Sequence, residues 1–173
     1  MARIRKFVAY RRIVRPYTRI SKYKDKAYIR MNPNPKVIAF ETGNPKRKFE
    51  YIINLVSKDD LQIRDNALES AKQTSNRLLE KSIGTSSYHL KIKPYPHQVL
   101  RENPIAAGAG ADRFSTGMQK AFGKPIGIAA QIKRGQVIFQ LSIDKANLAL
   151  GKSALERASK KLPCNCGIQM LAQ

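Results

Sequence analysis

Tyr88, Leu90 and Ile92 alternate with His89, Lys91 and Lys93, the period of a half-buried strand with one basic face. Pro94 and Pro96 interrupt that run, and residues 97–101 resume an extended pattern. Upstream, short strand-like runs at 27–31 and 36–40 are separated by Asn32-Pro33-Asn34-Pro35, and Gly43-Asn44-Pro45 closes the second. A third run covers 49–56. The period then changes. Leu61, Leu68, Ala71, Ser75 and Leu78 fall near helical spacing, leaving Glu69, Lys72, Gln73, Arg77 and Lys81 for solvent. Ser57 followed by Asp60 predicts a capping-box start for this helix, and Gly84 its stop.

Past residue 101 the apolar periodicity lapses. Residues 102–118 are predicted to form a long, flexible, irregular loop, of a length that in a compact domain is usually functional or disordered when unbound. Segments 127–133 and 136–143 are predicted to pair as a hairpin across Arg134-Gly135, with Val137, Phe139, Leu141 and Ile143 on one face. A second helix runs from the cap Asn147 to residue 161, with Leu148, Gly151, Leu155, Ala158 and Leu162 as its apolar stripe. Gly151 costs about 1 kcal/mol relative to alanine inside a helix, which close packing onto a sheet would offset. Pro163 ends the helix, and 168–171 reads as a last edge strand. The predicted architecture is α+β: a mainly antiparallel sheet with two helices packed on one face. Residues 1–24 form a basic N-terminal extension and 25–173 a single domain.

Charge changes the picture more than composition does. Lys and Arg number 33 against 12 Asp and Glu, a formal net charge of +21. Packing does not require that excess, and self-repulsion opposes the compact state unless a polyanion neutralises it. Nucleic acid is the expected partner, because contacting phosphates releases condensed counterions. A membrane surface fits poorly: no apolar run approaches the roughly 20 residues of a spanning helix, and no signal-peptide core follows the basic start. Arg3, Arg5, Lys6, Arg11, Arg12, Arg15, Arg19, Lys22 and Lys24 occupy the first 24 residues without one acid, interleaved with Phe7, Tyr10, Tyr17 and Tyr23. Such a tail is solvated when free and suits threading into folded RNA, where rings and guanidinium planes stack on bases.

Chemistry finds little support. Gly117 precedes Met118, and Gly123-Lys124 precedes Pro125, so no phosphate-binding loop ends in the required Lys-Ser/Thr. His89, His97 and Asp112 offer no nucleophile within demonstrable reach. Cys164 and Cys166 are too few for a disulfide framework and lack two further zinc ligands, which leaves two reduced thiols in a cytosolic chain. No catalytic residue, metal or cofactor is expected. By contrast Lys91, Lys93, His97 and Arg101 project from extended segments, and Arg113, Lys120 and Lys124 follow in the loop and next strand. With neither an RRM-type aromatic strand nor a KH-type GXXG loop present, recognition of folded RNA by shape and backbone is expected.

The runs His97-Gln-Val-Leu-Arg101, Ala109-Gly-Ala-Asp-Arg113, Thr116-Gly-Met118, Ala121-Phe-Gly-Lys-Pro125 and Gly135-Gln-Val-Ile138, with Arg15-Pro-Tyr-Thr near the start, resemble a universal family of large-subunit ribosomal proteins. Its members are called the L-ten-e type in archaea and eukaryotes and the L-sixteen type in bacteria. The similarity covers roughly residues 11–163, and the Ala-Gly-Ala-Asp-Arg loop with the short C-terminus favours the archaeal form. The resemblance implies an α/β-hammerhead-like fold bound to large-subunit rRNA in the cytoplasmic ribosome. It places aminoacyl-tRNA nearby, with the 101–118 loop reaching toward the peptidyl-transferase centre and other ribosomal proteins as neighbours. Thr116 of the loop and Tyr17 of the extension join the cations named above as the expected RNA-binding set. Two alternatives remain open: a free RNA-binding or chaperone module, and an enzyme acting on RNA through His97 or Asp112.

Overall fold

The alternating segments pair into two antiparallel sheets in the computed structural model, which describes residues 6–13, 29, 33–102, 109 and 123–172. In chain order the elements are β1 (Glu41–Gly43), β2 (Tyr51–Ser57), β3 (Leu61–Arg64), α1 (Asp65–Ile83), β4 (Tyr88–Ile92), β5 (Gln98–Glu102), β6 (Lys124–Ile132), β7 (Val137–Ile143), α2 (Leu148–Ser159) and β8 (Cys166–Ala172). The first sheet has the order β1-β4-β7-β2-β8 and the second β3-β6-β5. The fold is α+β as expected, although the described strands divide between two sheets where one was predicted. β8 is the expected edge strand, lying antiparallel to β2 with Tyr51 opposite Ala172.

Both helices bury one stripe in a common core. Leu68, Ala71 and Leu79 of α1 and Ala154, Leu155 and Ala158 of α2 are fully buried with Ile53, Tyr88, Phe139, Leu141 and Ile143. The two helices touch each other. α2 lies against β2, β7 and β8, while α1 reaches β4 of one sheet and β3 and β6 of the other. Gly151 permits the close approach of α2, since a Cβ there would fall 2.9 Å from Ile53 Cδ1 and 3.2 Å from Leu141 Cδ2. The packing thereby gained offsets the helix-propensity cost of glycine.

Five local expectations are corrected. The first helix starts at Asp65 because Leu61 to Arg64 pairs with β6, Leu61 opposite Ile132. Ser57 and Asp60 do not cap it: the Ser57 hydroxyl bonds the Asp59 carbonyl at 2.8 Å, and Asp60 accepts the Arg134 amide at 2.5 Å. The turn at Arg134-Gly135 exists, with the Gln136 amide on the Lys133 carbonyl at 3.1 Å, but β6 and β7 do not form a hairpin. Each is already flanked on both sides in its own sheet, so the turn carries the chain from the second sheet to the first. Residues 36–40 form no strand, because their backbone bonds side chains of α1 and one strand amide. The Lys36 amide donates to Asp65 at 3.1 Å, the Ala39 carbonyl accepts from Lys72 at 3.0 Å, and the Phe40 carbonyl accepts from the Ile92 amide at 2.8 Å. Lys72 is therefore buried, at 8% exposure and 2.8 Å from Glu69, where solvent was expected. Of the predicted strand at 27–31, only Ile29 lies within the described residues, and it is buried.

Candidate nucleic-acid interface

The alternation that starts at Tyr88 does not stop at the end of β4. Tyr88, Leu90, Ile92, Pro94 and Pro96 are buried, while Lys93, Tyr95 and His97 are exposed and His89 and Lys91 half-exposed. The two prolines fix φ and face inward, which holds the segment extended beyond the strand. The Lys93 amide bonds the Ile138 carbonyl at 3.0 Å, and the His97 amide closes on the Tyr95 carbonyl at 3.0 Å. One outward row results: His89, Lys91, Lys93, Tyr95, His97.

β1 contributes a carboxylate to that row. Glu41 lies opposite Lys91, bonds its ammonium, and stands 3.4 Å from His89 Nε2. The Lys91 hydrogen bond holds the Glu41 carboxyl below its usual range. The pair's contribution to stability is thus present above the ordinary carboxylate pKa and lost as pH falls through the lowered one. Glu41 is well exposed and water screens the pair, so that contribution is small. At the far end the rings gather. Phe40 and Tyr95 stack at 5.1 Å and 23°, and His97 tilts against Tyr95 at 4.4 Å and 46°.

The described part of the basic extension docks on the second sheet. Tyr10 is 3% exposed, packed with Leu100 and Ala129. Gln62 of the edge strand β3 fastens the segment: its amide accepts nothing from it but donates, the side chain to the carbonyls of Tyr10 at 3.3 Å and Arg12 at 2.5 Å, the backbone to that of Arg11 at 3.1 Å. Only carbonyls are engaged in these bonds, and the Lys6, Arg11 and Arg12 residues remain exposed. Replacing Gln62 by alanine removes both side-chain bonds from a buried site and is expected to cost about 1–3 kcal/mol. Urea unfolding together with proteolysis of the extension checks this: the midpoint should fall and cleavage near residues 6–13 should accelerate.

β5 and β6 end on the rung Glu102–Lys124, the two points to which the segment 103–122 is joined in sequence. Glu102 also accepts the Tyr10 hydroxyl at 3.4 Å, which ties the extension to the base of this segment. Lys124 is exposed; Arg101 is half-buried in the second sheet, apart from the strand that carries Lys91. Arg3, Arg5, Arg15, Tyr17, Arg19, Lys22, Lys24, Arg113, Thr116 and Lys120, and the alternative Asp112, lie outside the described residues, as does nearly all of the predicted 102–118 loop. Sequence reasoning missed Tyr95, Phe40, Glu41 and Gln62. The alternation continuing through Pro94 and Pro96 was a usable signal for Tyr95; the other three emerge only from tertiary pairing.

Among the described residues no group of three or more His, Cys, Asp or Glu side chains could hold a metal ion. Cys164 and Cys166 are free thiols with sulfurs 3.5 Å apart, in an open cleft lined also by Lys58, Asp59, Ser159, Lys160 and Asn165. Their shared hydrogen bond pushes the Cys164 thiol below its ordinary pKa, while the same bond and burial push Cys166 well above it. The thiolate is the nucleophile. Limited iodoacetamide at mildly alkaline pH should therefore label Cys164 before Cys166, and Cys166→Ala should slow that labelling; peptide mass spectrometry reads both. Equal labelling rates would contradict the assignment.

The family model described as ribosomal protein L16p/L10e matches residues 15–169. A large ribosomal subunit protein uL16 from Methanococcus aeolicus is 46% identical over 160 residues, covering 92% of this chain and 89% of that protein. The uL16 protein of Picrophilus torridus is 46% identical over 156 residues, 89% of each chain. That of Methanococcus maripaludis is 45% identical over 146 residues, 84% of each.

Proposed function

Because this chain belongs to the L16p/L10e family of ribosomal proteins, we propose that its outward row, basic extension and long loop together grip large-subunit rRNA beside the aminoacyl-tRNA. The coarser statement follows from membership: the protein is a structural constituent of the large ribosomal subunit and not an enzyme. Its partners are rRNA and other ribosomal proteins, in the cytoplasm.

The observation that carries the finer reading is how the extension is held. Gln62 binds its carbonyls and Tyr10 its apolar pocket, while Arg11 and Arg12 stay exposed for phosphates. Arginines carried on a backbone already fastened lose less chain freedom on meeting phosphate than those of a free tail. Lys93 on the row and Lys124 at the base of the loop add cations on the body, and His97 adds an exposed ring. Arg3, Arg5, Lys6, Arg15, Tyr17, Arg19, Lys22 and Lys24 are the further RNA contacts we assign to the extension. Arg113, Thr116 and Lys120 belong to the loop, which reaches toward the peptidyl-transferase centre and helps to position the tRNA acceptor end. The cations neutralise RNA helices that otherwise repel one another, and the protein performs no chemistry itself.

Directed hydroxyl-radical probing tests the placement. An iron chelate attached to Ala109→Cys, in a Cys164→Ser, Cys166→Ser background, is assembled into large subunits carrying aminoacyl-tRNA. Cuts in the rRNA around the peptidyl-transferase centre and at the tRNA acceptor end are expected. Cuts confined to other rRNA regions would overturn the placement of the loop.

A further inference from the structure

We propose that the rings of Phe40, Tyr95 and His97 form a preformed platform on which an unpaired base of RNA stacks. This deepens the proposed rRNA binding and rests on it. Tyr95 is 47% exposed, although its ring stacks with Phe40 at 5.1 Å and meets the tilted His97 ring at 4.4 Å. Phe40 is half-buried, while Tyr95 and His97 are exposed, so the ring cluster is open to solvent at these two residues. A base is flat, apolar on its faces and able to extend such a cluster, and stacking tolerates any base identity.

The platform is rigid before anything binds. Pro94 and Pro96 are buried on either side of Tyr95 and fix the backbone, and the His97 amide bonds the Tyr95 carbonyl at 3.0 Å across Pro96. Phe40 is held from behind, its carbonyl accepting the Ile92 amide at 2.8 Å. Little conformational freedom is then lost when a ligand arrives. Charge selects the occupant. Lys93 is exposed two residues from Tyr95 on the same row, the carboxylate of that row, Glu41, is engaged by Lys91, and the chain carries +21 overall. A phosphate beside Lys93 with its base on the rings matches this arrangement, as rings and cations together serve bases splayed from a fold.

The test uses the full chain and deproteinised large-subunit rRNA, with dissociation constants measured across a salt series. Stacking and phosphate contact separate there, because only the latter releases counterions. Tyr95→Leu and His97→Leu should each weaken binding about ten-fold at every salt concentration without changing the salt slope, whereas Tyr95→Phe and His97→Phe should stay within about two-fold. Lys93→Gln should make the slope shallower by about 0.9. These side chains are exposed, and thermal melts confirm that each variant folds. If the leucine variants bind rRNA like the parent, the platform is not a base site. If they bind rRNA normally but enter reconstituted subunits poorly, a protein neighbour covers the rings, which also overturns the proposal. Failure of the parent chain to bind rRNA at all would instead remove the proposed function on which this inference stands.

Discussion

Gly43→Ala is expected to destabilise the fold by about 3 kcal/mol or more, far beyond an ordinary glycine-to-alanine change. Gly43 sits at φ +92°, where an L side chain is strained, and an added Cβ would fall 2.1 Å from the Tyr88 carbonyl oxygen and 3.0 Å from its carbon. The obstacle is backbone at the start of β4, so no rotamer change relieves it. That oxygen also accepts the Asn44 amide at 2.9 Å. The strand β1 must therefore draw away from β4, giving up the pairs Glu41–Lys91, Thr42–Leu90 and Gly43–His89. Gly84 is the control: φ +74° and ψ 162° also favour glycine, but nothing lies within 4 Å of an added Cβ, so Gly84→Ala should cost about 1–3 kcal/mol, less than Gly43→Ala. Thermal melts should show Gly43→Ala falling by roughly 6–12 °C and Gly84→Ala by less. Equal shifts would mean that β1 does not approach Tyr88 as described.

The second large effect is on RNA affinity. Lys6, Arg11, Arg12, Lys93 and Lys124 are exposed on the described surface, and their joint replacement by glutamine should barely change stability. If each meets a phosphate, the salt slope of rRNA binding should become shallower by about 4, and affinity near physiological salt should fall by about 10³-fold or more. Lys72 is left out because it is buried against the Ala39 carbonyl, and its loss would unfold rather than unbind. Filter binding over a salt series reads the result. A slope that stays at the parental value would exclude these five side chains as phosphate contacts.

Much of the fold was legible because its strongest periods are local. The row from Tyr88, the α2 stripe with its glycine and the edge strand β8 each follow from spacing within one segment. The errors arise where distant partners decide. Leu61 and Ile63 alternate over a strand of four residues, and α1 follows at Asp65 without a breaker, so a short strand was absorbed into a helix. β6 and β7 flank a true turn, but their hydrogen bonds were committed to β3, β5, β4 and β2. Lys72 and Asp65 look like solvent residues until residues 36–39 bring the backbone groups that each one holds. At the interface, cations could be read from composition. Their support could not, since Gln62 and Phe40 act through neighbours about 50 residues away in sequence.

The central claim is that this chain is an integral rRNA-bound part of the large subunit. Sedimentation of a lysate through sucrose gradients, at low salt and at roughly 0.5 M, with immunodetection of the chain, tests it most directly, because salt strips contacts that rest on a few phosphates. The account predicts that the protein travels with the large subunit, at about one copy per particle, under both conditions. Release at the higher salt, or spread through the light fractions at either, would contradict it and leave a peripheral or free RNA-binding protein.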